Sequence, residues 1–172
     1  VDTVHSLDRM ADMASLVDQV DVVVGYPWFG PETGRAIYAG VPIVQIGPPE
    51  DSPYAGSDLG LTTALTALAE HLHAVGVRHP VALTPSADDP RTVEFTALMR
   101  GLGLQVRQVV TGAEERDPTA ATIAAMLDDG APVDAILAFN DLLACWAMKA
   151  LTRAGVRVPE DIRVVGIDGL SL

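Results

Sequence analysis

Residues 133–172 read VDAILAFNDLLACWAMKALTRAGVRVPEDIRVVGIDGLSL. The apolar run Ala135-Ile136-Leu137-Ala138-Phe139 predicts a strand over residues 133–139. It gives way at Asn140-Asp141 to an amphipathic segment that predicts a helix stopped by Gly155, and Ile162 to Ile167 (IRVVGI) then predicts a strand. Two strands joined by a single helix are the unit of a parallel sheet, because parallel neighbours need a crossover and a helix supplies it.

The alternation extends upstream. Leu65, Leu68, Ala69, Leu72 and Val75 mark a helix over 62–75 ended by Gly76, and HPVALT (79–84) reads as a strand. Residues 91–100 predict a helix with Gly101 beyond it, 104–110 a strand, and 118–127 a helix with Gly130 beyond it. Nearer the amino end, Leu7, Met10, Met13, Ala14 and Val17 mark a helix over 6–17, and Val20 to Gly25 a strand. Pro31 and Gly40 bracket another helix, and Val41 to Ile46 (VPIVQI) is a strand. GPPEDSPYAGSD, residues 47–58, carries no periodic apolar signal and reads as a loop near a boundary. The fold class is therefore α/β, with mainly parallel sheets and helices on both faces. Two lobes are expected, 1–60 as part of an amino-terminal one and 61–172 as a carboxyl-terminal one.

In such sheets ligands bind beyond the carboxyl ends of the strands, where loops and helix amino ends gather. Asn140 and Asp141 stand at one such end. Both residue types cap helices well and one cap is needed. Asp141 is read as the cap, which leaves Asn140 to offer a donor and an acceptor to a ligand. Asp168, in Ile167-Asp168-Gly169, places a carboxylate at the same edge, or else serves as a turn residue before a permissive glycine. Arg91 opens a helix, where the dipole disfavours a cation. It is either an ordinary surface arginine or one kept to meet a hydroxylated or acidic ligand. Together the three would form a polar rim suited to a sugar or nucleoside. Tyr26, Trp28 and Phe29 follow the strand at 22–24. They either stack on a ring of the ligand or anchor their own loop.

Composition excludes several classes. The net charge is −12, from 23 acidic and 11 basic residues with no basic stripe, so this chain by itself is not built to bind nucleic acid. No apolar run is long enough to span a bilayer and no signal peptide is visible, so no membrane association is expected. The single cysteine, Cys145, fits a reducing compartment, most simply the cytoplasm. His71 and His73, two apart on a helix, fall on different faces and are unsuited as joint metal ligands. There is no Gly-x-Ser-x-Gly elbow, phosphate loop or His-Glu-x-x-His, so neither an enzyme, a metal site nor a cofactor is expected.

Residues 133–172 also resemble the effector-binding domain of LacI/GalR-type bacterial transcription regulators. The family pattern runs strand, Ala-x-Asn-Asp, an alanine-rich helix, Ala-Gly, a hydrophobic-Pro-Glu-Asp turn and Val-Val-Gly-aromatic-Asp. Upstream, AGVPIVQIG (39–47) and AEHLHAVGVRHPVAL (69–83) are similar to further family segments, and Arg91 falls where the family carries an arginine. The resemblance implies a periplasmic-binding-protein type I fold, incomplete in this chain, whose two lobes close on a small ligand. It also implies effector-contacting roles for Asn140, Asp168 and Arg91. Ile167 stands where the family has an aromatic, Gly169 where it has a second Asp or Asn, and Glu94 where it has Gly, so the ligand's identity does not carry over. The chain is expected to cover the middle of a regulator, without its helix-turn-helix and hinge.

In that family the helix after Asn-Asp also contributes to a homodimer interface. Cys145, Met148 and Thr152 lie opposite the stripe Leu143, Ala147, Ala150 and Leu151, and would meet either a sister subunit or a neighbouring helix of the same chain. The function expected is an allosteric sensor of a sugar-like effector that controls operator DNA binding through a helix-turn-helix outside this chain. The alternative is a solute-binding protein feeding a transporter.

Overall fold

The computed structural model describes residues 19–25, 41–46, 55–57, 60–112 and 115–170. The helices expected over 6–17 and 31–40, and the aromatics Tyr26, Trp28 and Phe29, lie outside the described residues. The chain divides into two compact units, Val1–Leu61 and Thr62–Leu172.

The first unit contains a parallel sheet of β1 (Val23–Gly25), β2 (Ile43–Ile46) and β3 (Ala55–Ser57), in that order. Val23 pairs with Ile43, and Val44 with Ala55. β3 is a correction, since it falls within the segment read as loop. Three residues of Ala, Gly and Ser carry no apolar periodicity, and only the exposed edge of β2 makes them a strand.

The second unit alternates α1 (Leu61–Ala74), β4 (Pro80–Thr84), α2 (Pro90–Gly101), β5 (Arg107–Val110), α3 (Arg116–Asp128), β6 (Ala135–Ala138), α4 (Asp141–Arg153) and β7 (Arg163–Val165). Its sheet is parallel throughout, ordered β5-β4-β6-β7. β4 and β6 are central and buried at every residue, which is why both are apolar runs rather than alternating ones, with Thr84 the one polar residue, at the end of β4. Val81, Leu83, Ile136 and Ala138 share a face with Val109 and pack against Ile123 and Met126 of α3 and Leu143, Ala147 and Leu151 of α4. Leu65, Leu72, Phe95 and Met99, from α1 and α2, are buried outside that cluster. Right-handed crossovers account for the division: the chain leaves β4 toward one edge through α2 and leaves β6 toward the other through α4.

Helix ends follow local chemistry. Asp89 caps α2 by accepting from the Thr92 amide at 2.8 Å, with Pro90 in the first turn. α4 closes with Gly155 at φ 79°, its amide bonded to the Thr152 carbonyl at 3.1 Å and that of Val156 to Leu151 at 3.0 Å. α2 closes likewise on Gly103 at φ 81° rather than on Gly101, which is the last helical residue. Either glycine would serve as a stop, and position decides only when the backbone turns.

The amino ends of the strands are tied by Asp134, whose carboxylate accepts the amides of Arg78 at 2.6 Å and His79 at 2.9 Å. Beyond α4, Asp161 accepts the amide and Nε of Arg157, each at 2.9 Å, and a further guanidinium bond. Among the described residues, no helix is long and apolar enough to cross a membrane.

The Arg157 guanidinium, followed by the Arg157 amide, holds the Asp161 carboxyl at about 2, below the ordinary 3.8. A depressed carboxylate stabilises the fold above its unfolded pKa, and that contribution disappears as pH falls through the folded value. Carboxyl carbon NMR of the intact domain is expected to place the Asp161 midpoint near 2, and Arg157→Ala to return it toward 3.8.

Candidate functional site

β4 and β6 are adjacent, but the connections that leave them run to opposite edges of the sheet. The loops that leave their carboxyl ends therefore diverge, which makes this pair of strands the switch point of the sheet. Arg91 follows β4, Asn140 follows β6, and Asp168 follows β7 at the next strand along.

The structure brings two of these side chains into direct contact. Arg91 Nη1 donates to Asp168 Oδ1 at 3.2 Å and to the Phe139 carbonyl at 2.9 Å. Its guanidinium carbon lies 4.8 Å from the centroid of the Phe139 ring. The arginine side chain is 18% exposed and that of Asp168 is 37% exposed, so the pair sits at the rim and is open to water on one side. A cation in the first turn of α2 opposes the helix dipole, and the carboxylate, carbonyl and ring face together supply the compensation.

The expected cap is corrected: Asn140, not Asp141, caps the helix. Asn140 is the cap of α4: in extended conformation, φ −150°, its Oδ1 accepts the Leu143 amide at 2.8 Å. Asp141 is the first helical residue. Its carboxylate accepts the Leu170 amide at 2.6 Å, and its own amide donates to the Ile167 carbonyl at 2.9 Å. This choice of cap follows from β7. Once that strand lies beside β6, a carboxylate one position into the helix reaches the turn after it, and only Asn140 remains in register to cap. Asn140 is thus held close to Arg91 by its neighbour Phe139, whose carbonyl Arg91 binds.

Gly166 lets these elements approach. A Cβ there would land on the Asp141 carboxylate and lie 2.9 Å from the Asp141 Cα and 3.2 Å from the Ala144 Cβ. Asp168 itself has φ 121°, a region that non-glycine residues rarely occupy, and Gly169 follows at φ 70°. On the β4 side, Thr84 is fully buried and its hydroxyl donates to the Ser86 carbonyl at 2.8 Å. The Ser86 hydroxyl in turn bonds Asp88 and holds that carboxyl below its ordinary range.

Phe139 and Gly166 were missed as parts of this edge, and Asp141 was placed there without its partner. Phe139 was signalled, being the residue before Asn140. The partner of Asp141 was not, because it lies 29 residues away. Among the described residues no cluster of His, Cys, Asp and Glu could hold a metal ion.

On α4, Leu143, Ala144, Ala147 and Leu151 are buried, while Leu142 and Met148 are 38% and 36% exposed. Cys145, Met148 and Thr152 line a shallow surface groove with Leu142 and Trp146. Thr152 is turned back onto its own helix, donating to the Met148 carbonyl at 2.8 Å.

The periplasmic binding protein-like domain pattern matches residues 69–172. The HTH-type transcriptional regulator AscG of Escherichia coli K12 is 33% identical over 116 residues, covering 64% of this chain and 34% of that protein. The ribose operon repressor of Halalkalibacterium halodurans is 32% identical over 97 residues, 56% of this chain and 28% of that one. A solved LacI family transcriptional regulator from Arthrobacter sp. FB24 matches with a TM-score of 0.77 at 26% identity, covering 94% of this chain and 61% of the other. That regulator has also been solved in complex with lactose, matching with a TM-score of 0.76.

The parallel α/β fold gathers these polar groups at a strand switch point, the place where open α/β sheets bind their ligands. The chain belongs to the periplasmic binding protein-like family, and within it to the effector-binding domains of LacI/GalR-type transcriptional regulators. Its curated relatives are regulators and repressors, not enzymes. The chain spans about a third of the length of those relatives, 34% and 28%.

Asn140→Ala is expected to destabilise the second unit by about 1 kcal/mol through loss of the cap. Asn140→Asp, which keeps an acceptor for the Leu143 amide, should leave stability close to wild type. Urea denaturation followed by far-ultraviolet circular dichroism measures both.

Proposed function

We propose that the chain is the ligand-sensing domain of a LacI/GalR-type regulator, and that it binds a small hydroxylated molecule, a sugar or nucleoside, at the carboxyl edge of the β5-β4-β6-β7 sheet. The observation that carries this reading is the meeting of Arg91 and Asp168 at 3.2 Å, beside Asn140, where the sheet's connections diverge. The lactose complex of the Arthrobacter regulator and the ribose operon repressor support a sugar as the ligand class.

The groups suit polyols. Asp168 accepts from hydroxyls and the guanidinium donates to hydroxyl oxygens from a fixed fork, with Asn140 alongside at the start of α4. Arg91 already has a carboxylate beside it, so a neutral ligand can insert into an existing donor and acceptor pair without leaving a charge unpaired. Ligand binding would then favour one of two arrangements of the whole cytoplasmic regulator, one that holds operator DNA through a helix-turn-helix and one that releases it. The effect is limited by the ligand's difference in affinity for the two.

Calorimetric titration of the whole regulator with lactose, ribose, sucrose and adenosine tests the site. One of these is expected to bind, and Arg91→Ala and Asp168→Ala should each weaken it by on the order of ten- to a hundredfold, the loss typical of a charge-assisted hydrogen bond. A compound that bound both variants as tightly as wild type would refute the assignment.

The same proposal includes a homodimer in which the outer face of α4, with Cys145, Met148 and Thr152, meets its counterpart. Sedimentation equilibrium of the whole regulator should give twice the subunit mass, and Met148→Glu should shift it toward monomer. A wild-type monomer would remove the dimer from the proposal.

A further inference from the structure

We propose that Asp141 is a positioning residue for Asp168: it clamps the turn over 167–170 onto the first turn of α4 and thereby holds the Asp168 carboxylate against Arg91. The inference rests on the reading of Arg91 and Asp168 as ligand-facing groups, and it assigns to Asp141 a role distinct from contact with the ligand.

The clamp has two bonds of opposite sense. The Asp141 amide donates to the Ile167 carbonyl at 2.9 Å, and the Asp141 carboxylate accepts the Leu170 amide at 2.6 Å. Between the anchored residues lie Asp168 at φ 121° and Gly169 at φ 70°. Two successive residues of positive φ reverse the chain tightly, and a non-glycine residue holds such a φ only when its surroundings enforce it. Asp141 supplies that enforcement from outside the turn. The other tie on Asp168 is its 3.2 Å contact with Arg91, which a ligand would compete for.

Three further observations separate this role from ordinary helix capping. Asn140 already caps α4, so Asp141 is not needed for the Leu143 amide. Gly166 lies where any Cβ would collide with the Asp141 carboxylate, so close approach of these two residues is built into the fold. The turn clamped by Asp141 carries Asp168, whose side chain reaches Arg91, which places the clamp one step behind the ligand-facing pair. An acid in the first turn of α4 also favours the helix dipole. That contribution depends on charge alone, whereas the clamp depends on an acceptor at a fixed position.

Asp141→Asn keeps an acceptor in place and removes the charge. Asp141→Glu keeps the charge and moves the acceptor. Asp141→Ala removes both. In the ligand-free whole regulator, amide hydrogen exchange at Leu170 is expected to be slow in wild type and Asp141→Asn, and at least tenfold faster in Asp141→Ala and Asp141→Glu. The Arg91 guanidinium resonance should move in those last two variants toward its position in Asp168→Ala. If Asp141→Ala left both readouts at wild-type values, or if Glu rescued them and Asn did not, the clamp would be refuted whatever the ligand.

The second arm uses whichever of lactose, ribose, sucrose or adenosine binds wild type. Asp141→Ala should weaken it at least tenfold in the wild-type background and leave it unchanged in the Asp168→Ala background, since the clamp acts only through Asp168. Equal losses in both backgrounds would overturn the positioning role. If none of the four bound wild type, the functional reading would fail while the exchange and resonance data still decided the clamp.

Discussion

The second unit depends on a strand that has no free side. β6 is paired with β4 on one edge and β7 on the other, and its four residues, Ala135 to Ala138, are buried on both faces. Such a strand is apolar because a polar group in its middle would meet neither water nor an open partner. Its chemistry is displaced to its two ends, and the ends differ. At the amino end Asp134 gathers the backbone amides of Arg78 and His79. At the carboxyl end Phe139 meets Arg91 of α2, Asn140 caps α4, and Asp141 meets the turn after β7. One end joins strands to each other, and the other gathers the polar groups proposed to meet a ligand.

The carboxyl edge is a set of shared partners rather than a row of independent side chains. The Phe139 carbonyl receives Arg91, the Asn140 side chain caps α4, and Asp141 bonds to both ends of the turn that carries Asp168. Each of three consecutive residues thus fixes a different neighbour. This arrangement gives the Arg91 and Asp168 pair a defined geometry at a rim that is partly open to water, where an unsupported ion pair would have little preference for one orientation. Preorganisation of this kind lowers the ordering cost of binding, which is what the proposed recognition of a small neutral molecule would need.

α4 divides its surface in the same economical way. Leu143, Ala144, Ala147 and Leu151 close the sheet, and Leu142, Met148 and Thr152 remain on the outside. The first turn of this helix belongs to the candidate site and its outer flank to the proposed subunit contact. A displacement of its amino end by ligand would therefore be carried by a single rigid element toward that contact, which is the physical form that coupling would take here.

Sequence alone determined the alternation of strand and helix, the parallel pairing it demands, the family and the edge at which Arg91, Asn140 and Asp168 gather. Buried parallel strands must be apolar in their middle, their helices must be amphipathic, and both patterns are local in the chain. β3 escaped because Ala55, Gly56 and Ser57 become a strand only through pairing with β2. The cap of α4 was assigned to Asp141 instead of Asn140 because either residue can cap a helix. The choice was made by the Leu170 amide, 29 residues away, and by the missing side chain at Gly166 that lets the two segments touch. Local propensity states what a residue can bond, but only the tertiary structure decides which of several equivalent partners comes within 3 Å of it.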